Sequence, residues 1–307
     1  SGNTGGSQGP HVHFEIRETE SEKCVNPLLF GLQIPDNVPA DLTRIAFFDR
    51  NQSLYEQNPL LFQLTKKDGI YQPGGLIKLK TDKVALSLQA TDRMTGVPNA
   101  NGIYEVSVFK DNQPVGGFTM TRVGYDETRY LNAHIDYKTR FGGGSYFQHV
   151  FPLDGDKLEI YKREELPYLL LSDTAVHVIR LDVKDPYGNT SVARFSVQRV
   201  MNGNPVSIKP CFLMKAGEIN VFENDHVQVF IPEDGLYDSI YFRNSATIST
   251  IPLSFSPMQF IHTPSVPVHS AFTLRLKPDK AIPYHFRDRM LIRQTVKNNT
   301  SVSKAQW

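Results

Sequence analysis

Residues 176–198 read VHVIRLDVKDPYGNTSVARFSVQ, and this stretch decides the predicted fold. On both sides of the central DPYGN, apolar side chains alternate with polar ones, which is the period of two expected of a half-buried strand. Pro186 and the Gly188-Asn189 pair supply residues that tight turns favour. The stretch therefore predicts a β-hairpin.

The same alternation recurs along the chain, whereas long helical patterns are rare. It is seen at 83–91 (KVALSLQAT), at 103–120 around a KDNQP turn, and at 217–232 (GEINVFENDHVQVFIP). Shorter runs follow at 236–244 and 271–278. Many short strands separated by turn signals are typical of β-sandwiches, so we predict an all-β protein.

Composition and charge exclude only a few classes of function. The 307 residues are 40% hydrophobic and 21% charged, and 33 Lys and Arg balance 32 Asp and Glu. A net charge of +1 gives no chain-wide reason to expect nucleic acid or an anionic membrane as partner. No stretch approaches the roughly 18 apolar residues of a membrane-spanning helix. Two cysteines, Cys24 and Cys211, are too few to indicate a redox compartment or to argue for a disulfide.

The first 17 residues, SGNTGGSQGPHVHFEIR, place a glycine-rich loop before two histidines. If a strand follows the loop, His11, His13 and Glu15 share one face, because residues two apart in a strand point the same way. The other face is apolar and would enter a core; it carries Val12, Phe14 and Ile16. The loop suits a cleft wall, and its candidate substrate-contacting residues are Gly5, Gly6, Ser7 and Gly9. Spacing alone leaves open whether the imidazoles form a site or are surface residues.

Residues 4–17 (TGGSQGPHVHFEIR), with NPLLFG at 26–31, resemble the end of the catalytic domain of lysostaphin-like zinc endopeptidases. Those enzymes cut peptide cross-links of bacterial peptidoglycan with a small antiparallel β domain. The resemblance implies that His13 is a zinc ligand and that His11 is a catalytic histidine. A catalytic zinc keeps three protein ligands and one open position for water.

The chain departs from the family in the remaining ligands, which come from an upstream His-x-x-x-Asp segment. None of the nine histidines here is followed by Asp four residues later. We therefore expect a C-terminal portion of such an enzyme that is inactive alone, with the other ligands and any export signal upstream. The resemblance also implies an extracytoplasmic location, in the periplasm or cell envelope. Expected partners are peptidoglycan peptides and other envelope proteins, without nucleic acid or a membrane span.

We predict three pieces. Residues 1–32 are the remnant of the peptidase domain, and 33–202 are a β-sandwich with a long insertion at 125–172. Residues 203–307 are a second sandwich, whose completeness the sequence leaves open. The stretch 176–191 (VHVIRLDVKDPYGNTS) also resembles the last hairpin of bacterial immunoglobulin-like or fibronectin-like modules.

The insertion holds one further pattern, His134 and Asp136, two residues apart. No third ligand lies nearby in sequence, so we expect a structural segment that packs on the sandwich or on the peptidase module. The alternative overall function is a non-catalytic envelope binding or scaffold protein with a degenerate peptidase domain.

Overall fold

The computed structural model describes residues 9, 12–32, 34–162, 166–201 and 212–306. Antiparallel pairing dominates its sheets, which confirms the predicted all-β class. The chain divides into two compact units, Ser1–Asn204 and Pro205–Trp307. None of the described helices is long and apolar enough to cross a lipid bilayer.

The first unit contains fifteen described strands and two short α-helices. In chain order the strands are β1 (Ile16–Arg17), β2 (Cys24–Val25), β3 (Asp41–Asp49), β4 (Leu60–Gln63), β5 (Thr65–Lys67), β6 (Ile70–Gln72), β7 (Ile77–Leu79), β8 (Lys83–Thr91), β9 (Glu105–Lys110), β10 (Gln113–Thr119), β11 (Arg122–Val123), β12 (Gln148–His149), β13 (Leu169–Leu170), β14 (Val176–Lys184) and β15 (Thr190–Arg199). The helices are α1 (Leu131–His134) and α2 (Tyr137–Phe141), with 3₁₀ turns at Pro27–Leu29, Leu54–Glu56 and Thr128–Tyr130.

The predicted hairpin at 176–198 lies in the middle of the larger sheet. That sheet has the order β10-β9-β14-β15-β6-β5, with β7 also on β15. Pairing of β14 with β15 runs without a break from Val176↔Gln198 to Lys184↔Thr190. One face of β14 is fully buried through Ile179, Leu181 and Val183, as the alternation predicts. The hairpin at 103–120 is confirmed as well, because β9 pairs with β10.

A second sheet, β12-β8-β3-β4 with β13 also on β8, packs on the first. Phe47 of β3 meets Phe195 of β15 edge-to-face, with ring centroids 5.8 Å apart. The next residue, Phe48, points to the opposite face and meets His149 at 5.7 Å. Both faces of this sheet are therefore covered, one by the first sheet and the other by the insertion at 125–172.

The insertion is an ordered layer of the sandwich. Its strands β12 and β13 extend the second sheet by pairing with β8. Its apolar side chains supply core residues that are almost fully buried, among them Phe147, Val150, Leu153, Leu158 and Leu171. Of the two packing partners predicted for the insertion, the sandwich is thus one.

The N-terminal segment differs from its prediction. The strand expected from His11 onward is limited to Ile16–Arg17, and residues 12–15 have no regular structure. Val12 and Phe14 are 80% and 61% exposed, so the predicted core face is wrong for these two residues. The reason is that strand alternation buries a face only where another layer covers it. The short β1 instead joins β2 and β11 in a three-stranded sheet.

The second unit consists of small sheets with two or three strands each. Its described strands are β16 (Phe212–Met214), β17 (Asn220–Glu223), β18 (Val227–Ile231), β19 (Ile240–Phe242), β20 (Asn244–Thr247), β21 (Met258–Ile261), β22 (Thr273–Leu276), β23 (Leu291–Val296) and β24 (Asn299–Lys304), with a 3₁₀ helix at Tyr284–Arg289. The strand-like alternation over 217–232 is confirmed, because β17 and β18 form an antiparallel pair there. A compact core includes Met214, Val229, Tyr237, Ile240 and Phe242.

Candidate functional site

His13 lies on the surface, three residues before β1 begins at Ile16. Its side chain is 71% exposed. His11, Gly5, Gly6 and Ser7 lie outside the described residues, so their predicted roles stay predictions. Gly9 is described, and a Cβ added there would meet no described atom within 4 Å.

A fixed carboxylate, that of Glu15, accompanies the His13 imidazole. Its Oε2 lies 3.8 Å from Nε2 of His13. Arg17 donates to Oε1 from Nε at 3.0 Å and from Nη2 at 2.6 Å. On Oε2, the Cys24 thiol donates at 3.2 Å and the Tyr125 hydroxyl at 2.8 Å. Chiefly the Arg17 hydrogen bonds, and then those of Cys24 and Tyr125, lower the pKa of Glu15 to about 2.

The Cys24 thiol serves as a hydrogen-bond donor in this cluster. Its hydrogen bond to the Glu15 carboxylate is the main cause that raises the pKa of the thiol, and burial adds to it. A thiol of raised pKa stays protonated, and thiols bind metals or attack electrophiles as thiolates. Cys211 lies outside the described residues.

Ion pairs tie the N-terminal segment to the rest of the unit. Lys23 Nζ lies 2.6 Å from Glu127 Oε1 and 3.0 Å from Glu159 Oε2. Arg122 joins the network through Glu18 at 3.0 Å and Glu159 at 3.1 Å. Both glutamates that meet Lys23 belong to the insertion, which therefore also positions the segment that carries His13.

The described residues do not form the zinc site that the resemblance implies. One imidazole does not hold a catalytic zinc, which needs three protein ligands. Only one group of three His, Cys, Asp or Glu side chains within the described chain lies close enough to share an ion. That group is Asp36, Asp92 and Asp185, and it does not include His13.

The pair His134 and Asp136, in contrast, lies in the core. His134 is 0% exposed, and its Nδ1 lies 2.8 Å from the Tyr161 hydroxyl. The amide nitrogen of Gln148 donates to its Nε2 at 2.9 Å. Asp136 Oδ1 accepts from the backbone N–H of Thr139 and so caps α2. With both ring nitrogens occupied, His134 has no lone pair for a metal.

A second buried histidine completes this polar layer beneath the second sheet. The Ser87 hydroxyl of β8 and Nδ1 of His149 are hydrogen-bonded at 2.6 Å. Burial lowers the pKa of His149 to about 4 and that of His134 to about 3, so both rings are neutral. The sequence did not reveal this layer. His149 lies in the run YFQHVF, where polar and apolar residues do not alternate and so nothing marks the histidine as a buried polar group.

Comparison with protein families bears on the second unit only. Residues 212–305 match the model of the Zu5-like domain. No curated protein matches the chain. The N-terminal segment with His13 and the sandwich of the first unit lie outside this match.

Proposed function

We propose that this chain is the C-terminal portion of a cell-wall zinc endopeptidase that hydrolyses the peptide cross-links of peptidoglycan. The proposal rests on the resemblance of residues 4–17 and 26–31. One structural observation supports it above others: the imidazole of His13 is exposed and lies next to a fixed carboxylate. A metal ligand must present an unoccupied nitrogen, and an exposed ring can do so.

The neighbours of His13 support an association with further protein. Val12 and Phe14 expose large apolar side chains on either side of His13. Contiguous exposed apolar residues are typical of surfaces that another protein layer covers. In the proposal, that layer is the remainder of the catalytic β domain, which also contributes the missing zinc ligands.

The residues of this chain then have distinct tasks. His13 would bind the zinc, and His11 would assist at the scissile bond. A zinc held there would supply a Lewis acid that activates water near neutral pH and polarises the scissile carbonyl. Glu15 would hold the His13 ring in orientation, as carboxylates near ligating histidines do. The loop with Gly9 would form a cleft wall for an extended peptide.

The β-rich remainder would orient the catalytic domain or recognise envelope components. The insertion fits an orienting task, because Lys23 of the N-terminal segment meets Glu127 and Glu159 of the insertion. Such an enzyme acts outside the cytoplasm, on the peptidoglycan of the cell envelope. Zinc is its expected cofactor.

The test uses the full-length gene product and purified peptidoglycan. Zinc content and release of soluble peptides are compared for the unsubstituted protein, His13→Ala, and a control, His285→Ala, whose residue is exposed on the second unit. We expect His13→Ala to lose zinc and at least about 100-fold in hydrolysis, since a ligand is removed. The control should stay within about twofold.

Two outcomes count against the proposal. Equal zinc content in His13→Ala and the unsubstituted protein excludes His13 as a ligand. An unsubstituted protein that binds peptidoglycan but releases no peptide favours the alternative, an envelope scaffold with a degenerate peptidase domain.

A further inference from the structure

Three aspartates that are distant in sequence meet at one end of the sandwich in the first unit. Asp36 precedes β3, Asp92 directly follows β8, and Asp185 directly follows β14. One carboxylate oxygen from each lies within 4.8 Å of the other two. Asp92 and Asp185 are 6% and 3% exposed. The group therefore joins both sheets and the connection that leads into β3.

Hydrogen bonds orient two of the three carboxylates. Asp185 Oδ1 accepts from the backbone N–H groups of Tyr187 and Asn189, both at 2.9 Å. Asp36 Oδ1 accepts from the backbone N–H of Thr95 at 3.0 Å and from its hydroxyl at 3.1 Å. These donors hold the oxygens in place without neutralising their charge.

The third carboxylate has an oxygen with no partner. Asp92 Oδ1 is buried and accepts no hydrogen bond, and an oxygen of the same carboxylate lies within 4.8 Å of one oxygen each of Asp36 and Asp185. A buried carboxylate oxygen normally has a donor or a cation, because its desolvation is otherwise uncompensated. The vacant oxygen is evidence for a ligand that is independent of the clustering.

Among the described residues, no basic side chain pairs with these carboxylates. None of the three aspartates takes part in an ion pair within the described chain. Burial is the main cause that raises the pKa of Asp92 to about 6, and the charges of Asp185 and Asp36 add to it. Three carboxylates therefore meet without a basic partner among the described residues.

We propose that Asp36, Asp92 and Asp185 bind one divalent cation, calcium. All the candidate donors are carboxylate oxygens, which hard cations prefer, whereas protein zinc sites favour nitrogen and sulfur. Two oxygens bound to one calcium at about 2.4 Å lie at most about 4.8 Å apart, and the three carboxylates meet this limit, so shared coordination needs only small side-chain shifts. Magnesium demands shorter bonds and stricter octahedral geometry, and so it fits less well.

The bound ion would hold together three segments of the chain whose carboxylates otherwise repel one another. Asp185 lies in the turn of the fold-deciding hairpin, and Asp36 lies where the N-terminal segment enters the sandwich. Calcium binding should therefore stabilise the first unit and leave the second unchanged. This inference is independent of the proposed peptidase function.

The experiment uses the 307-residue chain, stripped with a chelator and titrated calorimetrically with calcium chloride, and separately with magnesium chloride. We expect one calcium per chain and, at 100 times Kd, an increase in Tm of several degrees. Asp92→Asn and Asp185→Asn should weaken calcium binding at least tenfold. Asp126→Asn, an exposed control in the same unit, should bind as the unsubstituted chain does.

Asp92→Asn also guards against loss of folding. Without calcium, this variant should be at least as stable as the unsubstituted chain, because one repelling charge is gone. The proposal would be overturned if calcium at about 5 mM, enough to fill even weak extracellular calcium sites, gave neither heat of binding nor a change in Tm. Unchanged calcium affinity in folded Asp92→Asn, or equal affinity for magnesium, would overturn it too.

Discussion

Two polar clusters of the first unit differ in a way that sequence spacing does not reveal. His134 and Asp136 are neighbours in sequence, and yet the ring nitrogens of His134 are occupied by Tyr161 and Gln148. The carboxylates of Asp36, Asp92 and Asp185 come from separate segments and leave a buried oxygen without a donor. The comparison teaches that an imidazole whose two ring nitrogens are hydrogen-bonded has no lone pair left for a metal, whereas three carboxylates from distant segments can offer their oxygens to one point.

The largest effect is expected from a substitution that disrupts the first cluster, around His134. His134→Ala should lower the free energy of unfolding of the first unit by about 3 kcal/mol, because it leaves a cavity and strips partners from Tyr161 and Gln148. His13→Ala is the matched control; its ring is exposed, so the change should stay within about 0.5 kcal/mol. Urea denaturation at pH 7, followed by circular dichroism, measures both. Equal losses for the two variants would contradict a structural role for the burial and hydrogen bonds of His134.

Acid should weaken the same layer. The pKa values of His134 and His149 are lowered to about 3 and about 4, so between those values and about 6.5 the unfolded chain binds protons that the folded chain does not. Above pH 6.5 these two histidines therefore do not lower the free energy of unfolding, and below that value it decreases as the pH falls. For each histidine we expect a loss of about 2 kcal/mol between pH 6.5 and 5.

The pH series is recorded by urea denaturation for the unsubstituted chain and for His149→Gln. The variant should start less stable and show a shallower loss with acid, because one titrating ring is gone. If its dependence on pH is as steep as that of the unsubstituted chain, His149 is not one of the groups that drive the acid effect.

The smallest expected effect concerns the anchoring of the segment that carries His13. Lys23 is 17% exposed and lies between Glu127 and Glu159 of the insertion. Lys23→Met should cost about 1 kcal/mol and speed amide hydrogen exchange in β1 and β2, since partly buried ion pairs contribute modestly. Lys67→Met, on the exposed β5, is the control and should alter neither quantity. If amide hydrogen exchange at β2 is unchanged in Lys23→Met, the insertion does not position the segment that carries His13.

The hairpins were predictable because their signals are local. The alternation over 176–198 and the turn residues Pro186 and Gly188 all lie within one hairpin. Its strands β14 and β15 pair along the whole of β14. In the 103–120 hairpin, Asp111 and Asn112 adopt positive φ angles of 49° and 68°. Asp and Asn tolerate this region better than most residues, so the KDNQP signal had a physical basis.

The strand predicted from His11 onward was only partly found because its signal was incomplete. Alternation of Val12, Phe14 and Ile16 says which side chains share a face, but burial requires a partner layer. The insertion was harder still. Its strands β12 and β13 have two residues each, too short for periodicity, and they form because β8 offers an edge for pairing.

By itself, the sequence determined the β class, the main hairpins and the His-x-His resemblance, because each depends on residues a few positions apart. Only the tertiary structure decided that His13 is exposed while His134 is buried, and that Asp36, Asp92 and Asp185 meet. Burial and the use of hydrogen-bonding groups depend on contacts between segments far apart in the chain. Local patterns carry no information about such contacts.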